Sequence, residues 1–284
     1  MTYREFLAAK AAELRRRQTG SDDTAFLDVS LILAHYLGIP RTQLLMKYPE
    51  TIAPGDVPPS FEEGWARRLA GESVAYIVGI KEFYGRDFLV DRRVLAPRPD
   101  TETLVSAALE VGDDMAAMTL RLHDLCTGSG AVAISIAAER PAWSVSASDI
   151  SADALDVARA NASRLLEKKL PLLLADLFAG LEGPFDIITA NPPYVPTGET
   201  AALLSQGWKE PALALDGGLD GFDIVSRLVR QAGAFLAPGG FLLIETDSLQ
   251  SESLRVMFRS EGFVDIRVWR DLAGLDRITG ARKP

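Results

Sequence analysis

The chain holds 284 residues, 48% of them hydrophobic and 24% charged, enough apolar surface for one large domain or a small domain plus a medium one. Its formal net charge of −9 lowers the expectation of a long polyanion as ligand, because such binding draws on a basic stripe. No apolar run approaches membrane-spanning length, the start Met1-Thr2-Tyr3-Arg4-Glu5 lacks a signal-peptide core, and the lone Cys126 excludes an internal disulfide or a cysteine-based metal cluster; a cytoplasmic chain with no membrane and no metal is expected.

Residues 2–18 are predicted helical from Phe6, Leu7, Ala11 and Leu14 at helix spacing, with Arg15-Arg16-Arg17 as a solvated end that complements the dipole. Gly20 breaks that helix, and Ser21 or Asp22 caps a second carrying Phe26, Val29, Leu33 and Leu37, which Gly38 and Pro40 stop. Pro49, Pro54, Pro58 and Pro59 mark a loop before a short helix near 61–69. Residues 1–72 therefore read as a small all-helical domain. Residues 73–95 change character: Val74-Ala75-Tyr76-Ile77-Val78 and Phe88-Leu89-Val90 read as short strands about the turn Glu82-Phe83-Tyr84-Gly85, a β-hairpin joining two domains. Pro97-Arg98-Pro99-Asp100-Thr101-Glu102 then opens a helix through Leu109, with Asp100 as N-cap and Glu102 in its first turn.

From Leu120 the pattern alternates. Strands are predicted at 120–125, 143–148, 170–175, 185–190, 241–246, 263–269 and 275–281, and helices at 130–139, 151–166, 221–236 and 249–260. That alternation gives residues 96–284 an α/β fold with a parallel sheet between helices, and the last two strands, with no helix between them, form a hairpin at the sheet edge. The acidic excess falls in this half, while basic and acidic residues balance over 1–95.

Two turns in the second half carry chemistry. After Asp124 and Leu125, the residues Cys126, Thr127, Gly128, Ser129 and Gly130 join a strand to a helix, where glycine lets backbone approach a ligand. Such a turn is often only structural, but Asp149 ends the next strand, the place of a carboxylate that accepts ribose hydroxyls. Asp176, beside Leu177 and Phe178, ends the third and supplies a polar group and apolar walls for an adenine. The loop lacks the full G-x-G-x-x-G pattern, so a nucleoside with an amino-acid tail, S-adenosylmethionine, fits better than a dinucleotide; Cys126 reads as inert packing. The second turn is Asn191-Pro192-Pro193-Tyr194. Two prolines cannot continue a central strand, so the chain leaves the sheet at Asn191 in a stiff turn. The Asn191 amide and a proline carbonyl can accept N–H bonds from a planar amide or amine, and Tyr194 can stack on it. The plain alternative is a strand-ending Asx-turn.

In this order, D-x-x-T-G-S-G, an acidic strand end and N-P-P-Y, the residues resemble Rossmann-like S-adenosylmethionine methyltransferases acting on nitrogen. Pro97 to Glu102, Glu82-Phe83-Tyr84-Gly85, Glu210-Pro211-Ala212-Leu213 and Asp216-Gly217-Gly218-Leu219-Asp220-Gly221 narrow the resemblance to the PrmC/HemK family of peptide-chain release factor N5-glutamine methyltransferases. It covers nearly the whole chain. Ser73 stands where that family usually has proline, Glu245-Thr246-Asp247-Ser248-Leu249-Gln250 replaces E-I-G-x-x-Q, and Ala147-Ser148 replaces Ala-Val.

The resemblance implies a seven-stranded catalytic domain and methylation of the glutamine of a Gly-Gly-Gln motif in a class I release factor. It implies cofactor contacts from Cys126, Thr127, Gly128, Ser129, Gly130, Asp149, Asp176, Leu177 and Asn191. Catalysis and substrate binding fall to Asn191, Pro192, Pro193 and Tyr194, with residues 1–72 selecting the protein substrate. The other enzyme reading is an exocyclic base amine of RNA or DNA flipped onto the same turn; the acidic catalytic half weighs against it, and no direct nucleic-acid contact is expected. A non-catalytic S-adenosylmethionine-binding scaffold is the third.

Overall fold

The computed structural model describes residues 1–17, 24–115 and 117–284; the expected break at Gly20 and caps at Ser21 or Asp22 lie outside them. The described chain divides into two compact units, Met1–Gly79 with Ser205–Lys209, and Ile80–Leu204 with Glu210–Pro284.

The first unit is helical: α1 (Tyr3–Arg17), α2 (Ala25–Leu37), α3 (Arg41–Met46), α4 (Ser60–Leu69) and α5 (Val74–Val78). Leu7, Leu14, Val29, Ile32, Leu33, Leu44, Phe61 and Trp65 form its core, each worth about 1.5–3 kcal/mol when fully buried. The Trp65 indole N–H donates to Glu13 at 3.0 Å, so the largest core side chain keeps its polar atom satisfied. One expectation fails here. Val74 to Val78 is a helix and not a strand, because extended Ser73 caps it, its hydroxyl accepting the Tyr76 N–H at 3.3 Å, and left-handed Gly79 ends it. Ser73, one of the departures from the family pattern, thus has a role of its own as the side-chain cap of this helix.

The second unit opens with a hairpin, β1 (Ile80–Phe83) and β2 (Arg86–Leu89), whose register pairs Phe83 with Arg86 around Tyr84 and Gly85 at positive φ. Glu82 accepts the Gly85 N–H and Glu102 the Tyr84 N–H, so two glutamates of the recognised motifs fix one turn. Phe83 and Phe88 of this hairpin join the sheet's core. A short 3-10 turn, Pro99–Thr101, precedes α6 (Glu102–Asp114). Asp100 is therefore not an N-cap; it lies inside that turn, 3.5 Å from Arg277.

There follow β3 (Arg121–Leu125), α7 (Ala131–Glu139), β4 (Ser144–Asp149), α8 (Ala152–Leu165), β5 (Leu172–Leu174), β6 (Phe185–Ala190), α9 (Thr197–Ser205), α10 (Asp223–Phe235), β7 (Leu236–Glu245), α11 (Ser251–Ser260), β8 (Val264–Arg270) and β9 (Asp276–Arg282). The Asn161 side chain of α8 accepts from Leu89 N–H and donates to its carbonyl, pinning the hairpin to this unit. The sheet order is β5-β4-β3-β6-β7-β9-β8, parallel from β5 to β7, with β9 antiparallel between β7 and the edge strand β8. This Rossmann-like layout is the expected one, terminal hairpin included. Of its helices, α9 had no counterpart in the sequence reading.

Candidate functional site

The order of strands reverses between β3 and β6, and in open α/β sheets ligands bind beyond the carboxyl ends of the strands at that point. Leu125 pairs with Ala190, so Cys126 and Asn191 leave the sheet side by side. The next register, Ala190 with Ile244, sets Glu245 beside Asn191 in the same way. A cleft of about 880 Å³, counting its open mouth, lies there, lined among others by Thr101, Asp124, Gly128, Asp149 and Asn191. A hollow of about 500 Å³ with Asp176, Leu177 and Arg227 shares Cys126, Asp149 and Pro193 with it, so the two are lobes of one site.

The loop after β3 is held from beneath. Asp124 accepts the hydroxyls of Thr127 at 2.6 Å and Thr189 at 2.7 Å. Burial pushes its carboxyl up to about 7 against those hydrogen bonds. Cys126 sits at φ 55, in the left-handed region that glycine enters most freely. Burial, and Asp149 and Asp124 nearby, raise its thiol far above the ordinary range, so it is inert. Three of the loop amides are not free donors. Thr127 N–H bonds to the Ser148 carbonyl, Gly130 N–H to the Thr127 carbonyl, and Gly128 N–H to Asp149 at 2.8 Å.

Asp149 accepts from Gly128 and, through its other oxygen, from Ser151 at 2.9 Å. A carboxylate has about four lone-pair sites, so two remain for ribose hydroxyls. Desolvation raises its pKa while the backbone donors oppose the rise. Asp176 is tied to Arg227 at 2.7 Å on the rim of the second lobe. Leu177 lines that lobe, but Phe178 does not: it is buried and stacked on Phe235, at 4.7 Å between centroids. The donor set thus fits S-adenosylmethionine: an acidic ribose acceptor between two largely apolar lobes, one of which reaches Asn191.

At the second turn Asn191 forms no Asx-turn. Its NH2 donates to the Thr101 hydroxyl at 3.2 Å, and Thr101 donates to Glu245 at 3.1 Å. Among the described residues no donor reaches Asn191 Oδ1, and no amide bonds the Pro192 carbonyl. Glu245 is buried, and its second oxygen has no hydrogen-bond partner among the described residues. Desolvation pushes its carboxyl up to about 7, with Thr101, Arg277 and Asn191 opposing.

Asn191 and Pro193 line the cleft, while Pro192 is buried and Tyr194 does not line it. Burial and the Glu245 charge push the Tyr194 hydroxyl up to about 12, so it stays neutral. Its backbone is clamped instead: Gln250 Nε2 donates to the Tyr194 carbonyl at 3.0 Å. A Cβ on Gly221, at φ 81, would lie 2.2 Å from that carbonyl oxygen, so only glycine allows the approach. Gln250 also accepts the Asp247 N–H, closing a capping box that keeps the loop after β7 ordered.

Sequence reading had not assigned Thr101, Asp124 or Glu245 to the site, nor the pair Arg98–Glu210, 2.7 Å apart beside Pro211 and Leu213 of the cleft wall. The signals were present: Asp124 opens the glycine-loop motif, and Thr101, Glu210 and Glu245 lie inside quoted motifs. What was missing was the pairing.

Residues 7–79 match the family described as the PrmC N-terminal domain, and residues 106–210 match the methyltransferase small domain. The chain is 39% identical over 280 residues to the release factor glutamine methyltransferase of Cereibacter sphaeroides, covering 98% of each chain. It is 38% identical over 283 residues to that of Burkholderia pseudomallei, covering 97% of each. Among solved structures, a methyltransferase from Pyrococcus furiosus superposes with a TM-score of 0.52 at 18% identity, over 78% of this chain and 98% of that one. The 16S rRNA N2 G1207 methyltransferase of Thermus thermophilus, in complex with AdoMet and guanosine, superposes at 0.51 and 18% identity, over 72% and 50%. At such identity these two speak for the fold alone.

Proposed function

The chain belongs to the release factor glutamine methyltransferase family, and from that premise we propose how its own residues carry the reaction. It is an S-adenosylmethionine-dependent methyltransferase acting on glutamine of a release factor. The finer assignment is that the methyl goes to the side-chain nitrogen N5 of a Gly-Gly-Gln glutamine in a class I factor. The reading rests on one observation above all: Asn191 spends its NH2 on Thr101 and keeps Oδ1 without a donor among the described residues at the cleft.

S-adenosylmethionine held there would supply an electrophilic methyl on a sulfonium, and since the thioether product is neutral no acid would be needed for its departure. The difficulty lies with the amide, whose nitrogen lone pair is delocalised into its carbonyl. Asn191 Oδ1 and the Pro192 carbonyl accept its two N–H bonds and turn the nitrogen toward the methyl. Alignment of that kind supplies much of the acceleration, and two acceptors favour positive charge gathering on nitrogen. As the N–CH3 bond forms and the S–CH3 bond breaks, the nitrogen gives up one of its two protons to solvent, leaving a neutral N-methyl amide. Pro193 walls the amide from water. Asp149 holds the ribose, with Cys126 to Gly130, Asp176 and Leu177 around the rest of the cofactor.

The helical residues 1–72 select the release factor, a protein and not a nucleic acid, in the cytoplasm where translation ends. No helix among the described residues is long and apolar enough to cross a membrane. Mass spectrometry of a release factor after incubation with enzyme and labelled cofactor tests the function: a single methyl on the Gly-Gly-Gln glutamine is expected, and label in RNA or DNA instead would overturn it. A chain beginning at Ile80 should bind S-adenosylmethionine yet methylate the factor poorly; parental turnover would free the helical unit from its assigned role.

A further inference from the structure

Asn191 can serve as acceptor only if its amide faces the right way, and a carboxamide is nearly symmetrical in shape. Something must choose between Oδ1 and NH2 at the cleft. Thr101 has one hydroxyl proton and two neighbours, Glu245 Oε1 at 3.1 Å and the Asn191 amide at 3.2 Å. A carboxylate only accepts, so an ionised Glu245 takes that proton. The hydroxyl oxygen is then left to accept, and only the NH2 of Asn191 can give. Glu245 is 144 residues distant from Thr101 in sequence and lies against it through β7, whose register sets it beside the Asn191 turn.

We propose that Glu245 and Thr101 are positioning residues that set the polarity of the Asn191 amide, the ionised carboxylate directing Asn191 Oδ1 into the cleft. The inference rests on the acceptor role of Asn191 given above. Its consequence is a switch. A protonated Glu245 donates to Thr101, which frees the Thr101 proton for Asn191; the amide turns over and presents NH2 to a substrate that itself has only N–H to offer there. Donor then faces donor, and the methyl acceptor is lost.

The charges around Glu245 are few. Arg277 on β9 and Asp100 in the 3-10 turn act on it in opposite senses, Asn191 and Thr101 favour its charge, and burial opposes it most. Arg277 is itself held by Asp271 at 3.0 Å, and Tyr194 beside Glu245 stays neutral. Burial thus brings the carboxyl up to about 7, where the switch operates in a working pH range. Asp124 is pushed into the same range and touches both turns, through Thr127 and Thr189, so the limb is assigned to Glu245 by its loss in Glu245→Gln.

The experiment is the pH profile of single-turnover methylation of a purified release factor by the full chain, with S-adenosylmethionine affinity measured beside it. The parent should lose kcat as pH falls through about 7. Glu245→Gln offers Thr101 either an acceptor or a donor, so kcat should drop about 10–100-fold, the range of a charge-assisted hydrogen bond, with the acid limb gone and cofactor affinity within about twofold. Thr101→Val should fall as far, and Thr101→Ser should restore most of the rate while keeping the limb. A Glu245→Gln enzyme with parental kcat, or with an unchanged acid limb, overturns the proposal. Should Glu245→Gln fail to fold, the Thr101 pair decides alone: equal rates for Thr101→Val and Thr101→Ser overturn it. An inactive Asn191→Ala beside a fully active Thr101→Val refutes the polarity device and leaves the acceptor reading standing. An active Asn191→Ala refutes the acceptor reading itself.

Discussion

The two turns that form the site are built on opposite plans. The loop Cys126 to Gly130 is held by its own backbone: three of its amides bond within the loop, to a neighbouring strand or to Asp149, and its left-handed residues set the path. The turn Asn191 to Tyr194 has prolines at its centre and few amides to spend, so side chains from distant segments hold it. Thr101 takes the Asn191 amide, Gln250 takes the Tyr194 carbonyl, and Gly221 lets its own loop close on that carbonyl. A self-contained loop suits a ligand bound by shape and ribose contacts. A braced turn suits a group whose orientation decides the chemistry, because each brace removes one way for the acceptor to move.

The comparison breaks first at Asn191. Asn191→Ala removes the acceptor outright and should lower single-turnover methylation by about 10²–10³-fold, the scale of a lost oxyanion-hole partner, with cofactor affinity unchanged. Near-parental transfer would make the turn a structural corner. Asp149→Ala tests the other plan. It removes the proposed ribose acceptor and also the anchor of Gly128, so cofactor binding should weaken by about 1.5–3 kcal/mol, with a smaller loss of rate once cofactor saturates. Unchanged affinity in calorimetry would remove Asp149 from the ribose. Gly221→Ala sharpens the contrast without touching a reacting group. Its Cβ would meet the Tyr194 carbonyl and its φ is left-handed, so stability should fall by about 1–3 kcal/mol with kcat reduced and cofactor affinity kept.

How legible each region was follows from the same difference. The loop could be read from sequence because its parts are adjacent, and the alternation of strand and helix placed Asp149 at the neighbouring strand end. The Asn191 turn was legible as a turn, since Pro192 and Pro193 forbid a strand, but its braces were not. Thr101 and Glu245 come from segments whose contact exists only once β7 lies beside β6. Tyr194 differs again: an aromatic after two prolines reads as a stacking surface, but the Gln250 brace on its carbonyl was not legible. Val74 to Val78 failed for a local reason. Five apolar residues are too short for periodicity to separate helix from strand, and the Ser73 cap decided it.

The smallest effect is read in stability, and it compares the two buried carboxyls that lie under the two turns. Asp124 and Glu245 are both raised to about 7 by burial, against an ordinary value near 4. Between those values the unfolded chain ionises while the folded carboxyl keeps its proton, so each group contributes stability that is fully present below about 4 and is lost as pH rises through about 7. Other carboxyls push the opposite way: Asp216 and Asp271 are lowered by hydrogen bonds, and their contribution is lost as pH falls. The whole-protein profile is therefore a mixture, and the difference between parent and variant isolates one group. Asp124→Asn, which cannot ionise, should gain on the parent between pH 5 and pH 8 in urea midpoints, and Glu245→Gln should gain likewise. Both carboxyls reach about 7, but Asp124 starts from the lower ordinary value of an aspartate, so its gain should be at least as large as that of Glu245. A parent-minus-variant difference that does not change with pH at either position would mean that carboxyl is ionised throughout, and the brace on that side would hold the same orientation at every working pH.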